Sequence, residues 1–173
     1  MAMDAIEALK TRRSFRKFSQ DPVDPAVLDR VLETTQFAPS GRGLQSPLLV
    51  VVQDKETVAQ LSRMNAAVMG AATDPYYGAP AIILAFAPND VTTYIEDASC
   101  ALTYLQVAAH VEGLASVWIH RERQMFQSDE GKALMEKWGI DAKYEGIGSV
   151  AIGYAGCDLP DPAPRREGYV LKV

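Results

Sequence analysis

Apolar positions along the chain repeat with two different periods. Four runs are short and nearly continuous: 48–52 (LLVVV), 81–86 (AIILAF), 115–119 (ASVWI) and 147–154 (IGSVAIGY). Their length and their β-branched and aliphatic residues predict strands, the first of them buried. Between the strands the spacing turns helical. Residues 3–11 put Ile6 and Leu9 on one face, which predicts a short helix. A second helix opens with Asp24 as N-cap and Pro25 at the first helical position, and carries Val27, Leu28, Val31 and Leu32 as one stripe. Pro39 stops it, and the stretch from Ser40 to Gly43 reads as a loop with two permissive glycines. Asp54 caps a third predicted helix, 55–68, with Val58, Leu61 and Met64 at helical spacing. The stretch from Tyr94 to Gly113 is apolar on nearly every side, so it belongs in a core or an interface. Its alanines would let another helix approach closely. Ser128 caps a last helix to Trp138, with Asp129 and Glu130 in its first turn and Gly139 beyond its end. Four strands separated by helices predict a layered sheet-and-helix domain.

Composition narrows this picture. A chain of 173 residues, 48% hydrophobic and 23% charged, suits one domain over 1–173 with a real core. A net charge of −5 argues against nucleic acid or a polybasic membrane contact as partner. No apolar run approaches the ~20 residues of a membrane span. The N-terminal stretch shows no basic n-region or apolar h-region, so a secretory leader is not expected and a cytoplasmic location is. Cys100 and Cys157 are far apart and form no disulfide framework, and with only His110 and His120 no metal site is expected.

The chemistry concentrates in Thr11 to Phe18, where Arg12, Arg13, Arg16 and Lys17 surround the hydroxyl of Ser14 directly after the first helix. Guanidinium forks and a hydroxyl are the donors that hold a phosphate monoester. The alternative is a solvated basic turn whose cations suit a helix C-terminus. Neither a G-x-G-x-x-G stretch after a strand nor a P-loop is present, and H-E-x-x-H and G-x-S-x-G are missing too. An anion site without an evident catalytic side chain points to a phosphorylated cofactor that does its own chemistry.

At this point the chain resembles a known family, the FMN-dependent nitroreductases. The resemblance rests on helix-R-R-S-x-R-x-F near the N-terminus, on A-P-S-G at 38–41, and on the long small-residue helix ending in G-L-x-S-x-W-I. It continues in the strand IGSVAIGY, followed by a proline-rich turn and a basic pair, and runs in order from about residue 4 to 173. It implies an α+β fold: a mixed sheet flanked by helices, with a long buried central helix. It also implies a homodimer with FMN at the interface and the C-terminal tail exchanged between subunits. The tail GYVLKV, partly apolar and without a local partner strand, agrees with such an exchange.

Position by position, the resemblance places Arg12 and Ser14, with Arg13 beside them, on the FMN phosphate and ribityl chain, and Arg16 at the pyrimidine end of the flavin. Arg165 and Arg166 match the basic pair expected on the phosphate. Pro39, Ser40 and Gly41 would line the ring from the other subunit, with Gln45 nearby, and Asn65 matches a polar residue facing the flavin. Trp118, Ile119, His120 and Arg121 match the segment along the isoalloxazine, where a backbone N–H would bond N5. The bland readings are a surface cation for Arg13, a core indole for Trp118 and a loop contact for Gln45. The implied activity passes electrons from NADH or NADPH through FMN to a nitroaromatic, a quinone or a similar small acceptor. Other reactions of the same fold, dehalogenation or flavin cleavage, stay open, as does a flavin-binding sensor without turnover. Gly43 stands where many members carry Asn, and Ser46-Pro47 where many carry Pro-Trp. Little chain between Ile119 and Ser128 remains for a large lid.

Overall fold

The structure, a computed structural model, describes residues 3–173; Met1 and Ala2, which begin the expected domain, lie outside the described residues. Six α-helices are described, α1 (Ala5–Thr11), α2 (Pro25–Thr35), α3 (Lys55–Met69), α4 (Tyr94–Val111), α5 (Glu122–Gln127) and α6 (Asp129–Lys137). Four strands alternate with them, β1 (Leu48–Val52), β2 (Ala81–Pro88), β3 (Ala115–Ile119) and β4 (Tyr144–Gly153). They form one sheet in the order β1-β2-β4-β3, with every named pair antiparallel. Among the described residues, a parallel pairing occurs only at the isolated bridge from Ser14 to Ser116.

The caps read from sequence act as expected. Asp24 Oδ1 accepts from Ala26 N at 2.8 Å, Asp54 Oδ2 from Thr57 N at 2.9 Å, and Ser128 Oγ from Gly131 N at 3.1 Å. Each satisfies an amide that a helix start would leave orphaned.

Central strand β2 is buried at every position and sorts its residues by the two-residue period. Ile82, Leu84 and Phe86 enter one core with Leu61, Val117, Ile119, Met125 and Phe126. Ala81, Ile83, Ala85 and Ala87 enter the other, with Val31, Leu102, Leu105, Ala109 and Val150. The alanines of β2 and those of α4 make the second face shallow, so α4 lies close along the sheet. A register shift at Ala85/Phe86 leaves Ile147 of β4 without a β2 partner, between Gly146 and Gly148.

Several elements differ from the expectation. LLVVV is an edge strand paired to β2 alone, and only Val52 of its residues is fully buried. A continuous apolar run does not separate a central strand from an edge strand with one covered face and an exposed flank. Helix α1 buries Ala8 and leaves the expected apolar face, Ile6 and Leu9, more than half exposed. Helix α4, expected in a core or an interface, leaves Ile95, Tyr104 and Val111 exposed within one chain. The span between Ile119 and Ser128, to which the sequence pattern assigned no element, holds α5, packed against α6 and β4. Beyond residue 156 the tail has no helix or strand and is exposed throughout.

Candidate functional site

Asp4 caps α1, and the helix delivers the chain into the basic stretch. Two buried aromatics, Phe15 and Phe18, then pin that stretch to the sheet. Phe15 N donates to Ser116 O of β3 at 3.1 Å, and Phe18 bridges to Ala155 just past β4. Gly156 is needed there, since a Cβ would lie 2.7 Å from the Phe18 carbonyl carbon. The pinning leaves Arg16 and Lys17 exposed and Arg12, Arg13 and Ser14 half-buried.

Among the described residues these cations have no carboxylate partner. Among the described residues the ion pairs are Arg30–Glu112, Arg123–Glu145 and Lys143–Asp90, none of which touches the basic stretch. Arg13 Nη1 donates to the carbonyls of Lys10 and Arg12, both at 2.8 Å, while Arg13 Nε and Arg12 Nη1 are buried with no acceptor. Burial, and then the charge of Arg13, pull the Arg12 guanidinium below its ordinary range. Buried charged donors without acceptors are costly, so an anion here gains what the protein withholds. The phosphate of a cofactor fits this donor set.

His110, in the last turn of α4, joins the same place. The Thr11 hydroxyl donates to Glu7 O at 2.7 Å, so its oxygen accepts from His110 Nε2, 2.9 Å away. Burial, then Arg12 and Arg13, hold the imidazole below its usual range.

The end of β3 forms a second cluster. Trp118 packs on the α4 face, where a Cβ on Gly148 would come within 2.8 Å of its indole nitrogen, while Ile119 enters the opposite core. His120 is exposed, and Arg121 follows with φ 91°, a left-handed conformation rare for a side-chain-bearing residue. Buried Asn65 braces this corner. Its Nδ2 donates to His120 O at 3.0 Å and contacts Met125 Sδ at 3.1 Å, while its Oδ1 accepts from Arg121 Nε at 2.8 Å. Asn65 thus holds the backbone beside the expected flavin segment.

The loop 39–46 is a third cluster. Pro39, Ser40 and Gln45 line a cleft of about 400 Å³ with residues of α2 and β1. Buried Asp97 anchors the loop: Oδ1 accepts from Gly41 N at 2.8 Å, and Oδ2 accepts from the hydroxyls of Ser46 and Thr93, each at 3.1 Å. A Cβ at Gly41 would collide with Thr93 Oγ1. Arg165 and Arg166 lie in the exposed tail, Arg165 donating to Ala163 O and Arg166 lying 5.9 Å over the Tyr169 ring. Within one chain, no hydrogen bond or ion pair among the described residues links the tail arginines or the 39–46 loop to the basic turn.

Sequence reasoning passed over Asp97, His110, Tyr76 and Glu122 as functional elements. An acidic residue inside an apolar helix was the available signal for Asp97. Glu122 gave none, lying between Arg121 and Arg123 in what reads as a solvated charge run.

The nitroreductase family model matches residues 9–76, which contain the basic turn and the 39–46 loop. An FMN-dependent nitroreductase from Clostridium difficile R20291 is 30% identical, with 95% of this chain and 94% of that one covered and a TM-score of 0.76. The chain belongs to the nitroreductase family. A nitroreductase with bound FMN from Bacteroides fragilis NCTC 9343 shares the fold across 99% of both chains at 23% identity, with a TM-score of 0.89. A Methanothermobacter thermautotrophicus protein provisionally named NADH dehydrogenase/NAD(P)H nitroreductase is 28% identical over 67% of this chain, which spans 60% of that relative's length. The nitroreductase fold accounts for the antiparallel sheet with α4 laid across one face. No helix among the described residues is long and apolar enough to cross a membrane.

Proposed function

We propose that this nitroreductase-family chain is an FMN-dependent oxidoreductase, acting as one domain over 1–173 in a cytoplasmic homodimer. The observation that carries the reading is the pair of buried guanidinium nitrogens, Arg12 Nη1 and Arg13 Nε, left without acceptors in a turn that no carboxylate among the described residues neutralises. Held there, FMN would supply two-electron redox chemistry between NADH or NADPH and a small acceptor such as a nitroaromatic or a quinone.

In this reading Arg12, Arg13 and Ser14 hold the phosphate, with Arg165 and Arg166 joining from the tail. Arg16 serves the pyrimidine end of the ring. Trp118, Ile119, His120 and Arg121 run along the isoalloxazine, with Asn65 fixing their backbone. Pro39, Ser40, Gly41 and Gln45 come from the second subunit, which agrees with their separation from the basic turn within one chain. Exposed Ile6, Leu9, Ile95, Tyr104 and Val111, and the uncovered apolar tail residues, supply apolar area for that dimer.

The test is the visible spectrum of desalted protein before and after anaerobic NADH or NADPH. The reading expects stoichiometric flavin that bleaches with a nicotinamide. Protein that cannot be loaded with FMN overturns it, and bound flavin that neither nicotinamide reduces favours a sensor.

A further inference from the structure

Beneath the His120–Arg121 corner lies a buried polar chain that the function above does not use. Glu122, the first residue of α5, is completely buried. Its Oε1 accepts from Ser149 Oγ of β4 at 2.5 Å and from the Tyr76 hydroxyl at 3.3 Å, while Oε2 is buried without a partner. The hydroxyl of buried Tyr76 also lies 4.0 Å from Met125 Sδ, which Asn65 Nδ2 contacts at 3.1 Å. Asn65 in turn grips His120 O and Arg121 Nε. One contiguous path therefore runs from Ser149 through Glu122, Tyr76 and Met125 Sδ to Asn65 and the corner. The backbone makes room for it: a Cβ at Gly146 would lie 2.9 Å from Glu122 O and 3.0 Å from its Cβ.

A structural carboxylate would normally have both oxygens satisfied, and an apolar side chain would fill the space at lower desolvation cost. Glu122 is instead a carboxyl with one oxygen doubly bonded to hydroxyls and the other unpartnered. We propose that Glu122 is a positioning residue, acting through Tyr76 and Asn65 to set the His120–Arg121 corner, with its protonation state deciding how firmly the corner is held. Where the corner meets FMN, the proposal rests on the function proposed above.

The charge environment supports a titratable role. Burial pushes the Glu122 carboxyl up to about 7, opposed by the Ser149 hydroxyl, by its own backbone N–H, by the Tyr76 hydroxyl and by the Arg121 guanidinium. Those are the polar and charged groups facing it from β4, from the loop after α3 and from its own segment; Tyr76 is held neutral by its own burial and by Glu122. Below that midpoint the carboxyl is neutral and compatible with its site. Above it an ionised Oε2 has no donor, and the chain of hydroxyls and amides must rearrange around it.

Two measurements test this on the full-length protein. The first is hydrogen exchange of FMN-free protein at residues 119–125 as a function of pH, expressed as protection factors so that intrinsic exchange cancels. Wild type should lose up to about tenfold protection per pH unit between the ordinary carboxyl range and the raised midpoint, and Glu122→Gln should be flat. The second is FMN affinity below and above that midpoint. Wild type should weaken by about fivefold more than Glu122→Gln, at the low end of typical coupling between sites. The flavin phosphate's own titration is common to both proteins and cancels in that comparison. Tyr76→Phe separates positioning from mere structure: it should keep pH-dependent protection at Glu122 itself, lose it at His120 and Arg121, and give a flat FMN profile, because the path to Asn65 is cut. It also keeps the test open if Glu122→Gln does not fold. Superimposable FMN profiles for wild type and Tyr76→Phe would overturn the proposal. Failure of every variant and of wild type to bind FMN would instead overturn the function proposed above, while the exchange data would still decide whether Glu122 controls the corner.

Discussion

The loop 39–46 and the basic turn 12–17 are both candidate halves of one binding site, and they are built in opposite ways. The loop is anchored by a carboxylate with both oxygens in use: Asp97 binds Gly41 N, the Ser46 hydroxyl and the Thr93 hydroxyl. The turn presents guanidinium nitrogens that are buried and have nothing to bind. A saturated acceptor fixes a loop before any ligand arrives, whereas unsaturated donors gain their partner only when an anion does. Rigid wall and waiting cradle thus divide between two segments some twenty-five residues apart in sequence.

Breaking the anchor should give the largest effect. Asp97→Ala leaves three donors without an acceptor and should cost about 3–4 kcal/mol of stability, read from denaturant unfolding. A loss near zero would mean that the loop holds itself.

The buried carboxyl of Glu122 gives the next effect, and its sign is fixed. Its pKa is raised in the folded protein, so its stabilising contribution is complete below the ordinary carboxyl value of 4.5 and is lost as pH rises through about 7. Wild type should lose about 3 kcal/mol across that window relative to Glu122→Gln, measured by urea unfolding at a series of pH values. Parallel curves for the two proteins would remove Glu122 from the account.

Arg12→Ala follows. It deletes the half-buried donor and should weaken FMN binding by about 2 kcal/mol, roughly thirtyfold, while leaving the fold in place. It should also raise the pKa of His110, whose imidazole is held down by burial and then by Arg12 and Arg13. NMR titration of the His110 ring reads that shift without any flavin. The smallest effect belongs to Arg30→Ala. That arginine already pairs with Glu112 at 2.8 Å on the surface, and its removal should change neither melting temperature nor FMN affinity measurably. A large loss there would erase the distinction between paired and unpaired cations.

How far the sequence foretold these features depended on whether a residue's job was local. Asp24, Asp54 and Ser128 cap the helices beginning next to them, and a cap needs only its own neighbours, so composition and spacing suffice. The basic turn was visible for the same reason, as charges crowded into eight residues. Its lack of carboxylate partners was not, because that depends on which acids the fold brings near. The edge position of β1 was hidden because LLVVV satisfies the pattern of a covered strand, and strand order is decided by pairings far away in the chain. Ile6 and Leu9 on one face did give the helix, but not which face is covered: Ala8 is its buried residue, and two large apolar residues in a seven-residue helix fix its phase poorly. Glu122 carried no signal, and Asp97 could be flagged as an acid in an apolar helix but not given its partners. Their partners, Ser149, Tyr76 and Gly41, are 27, 46 and 56 positions away.

The central claim is that the basic turn is a phosphate site, and the direct measurement compares FMN with riboflavin, which lacks the phosphate. Fluorescence titration of desalted wild-type protein should show FMN binding tighter by roughly thirtyfold or more, and Arg12→Ala should remove most of that preference. Equal affinity for the two flavins in wild type, or an undiminished preference in Arg12→Ala, would contradict the account.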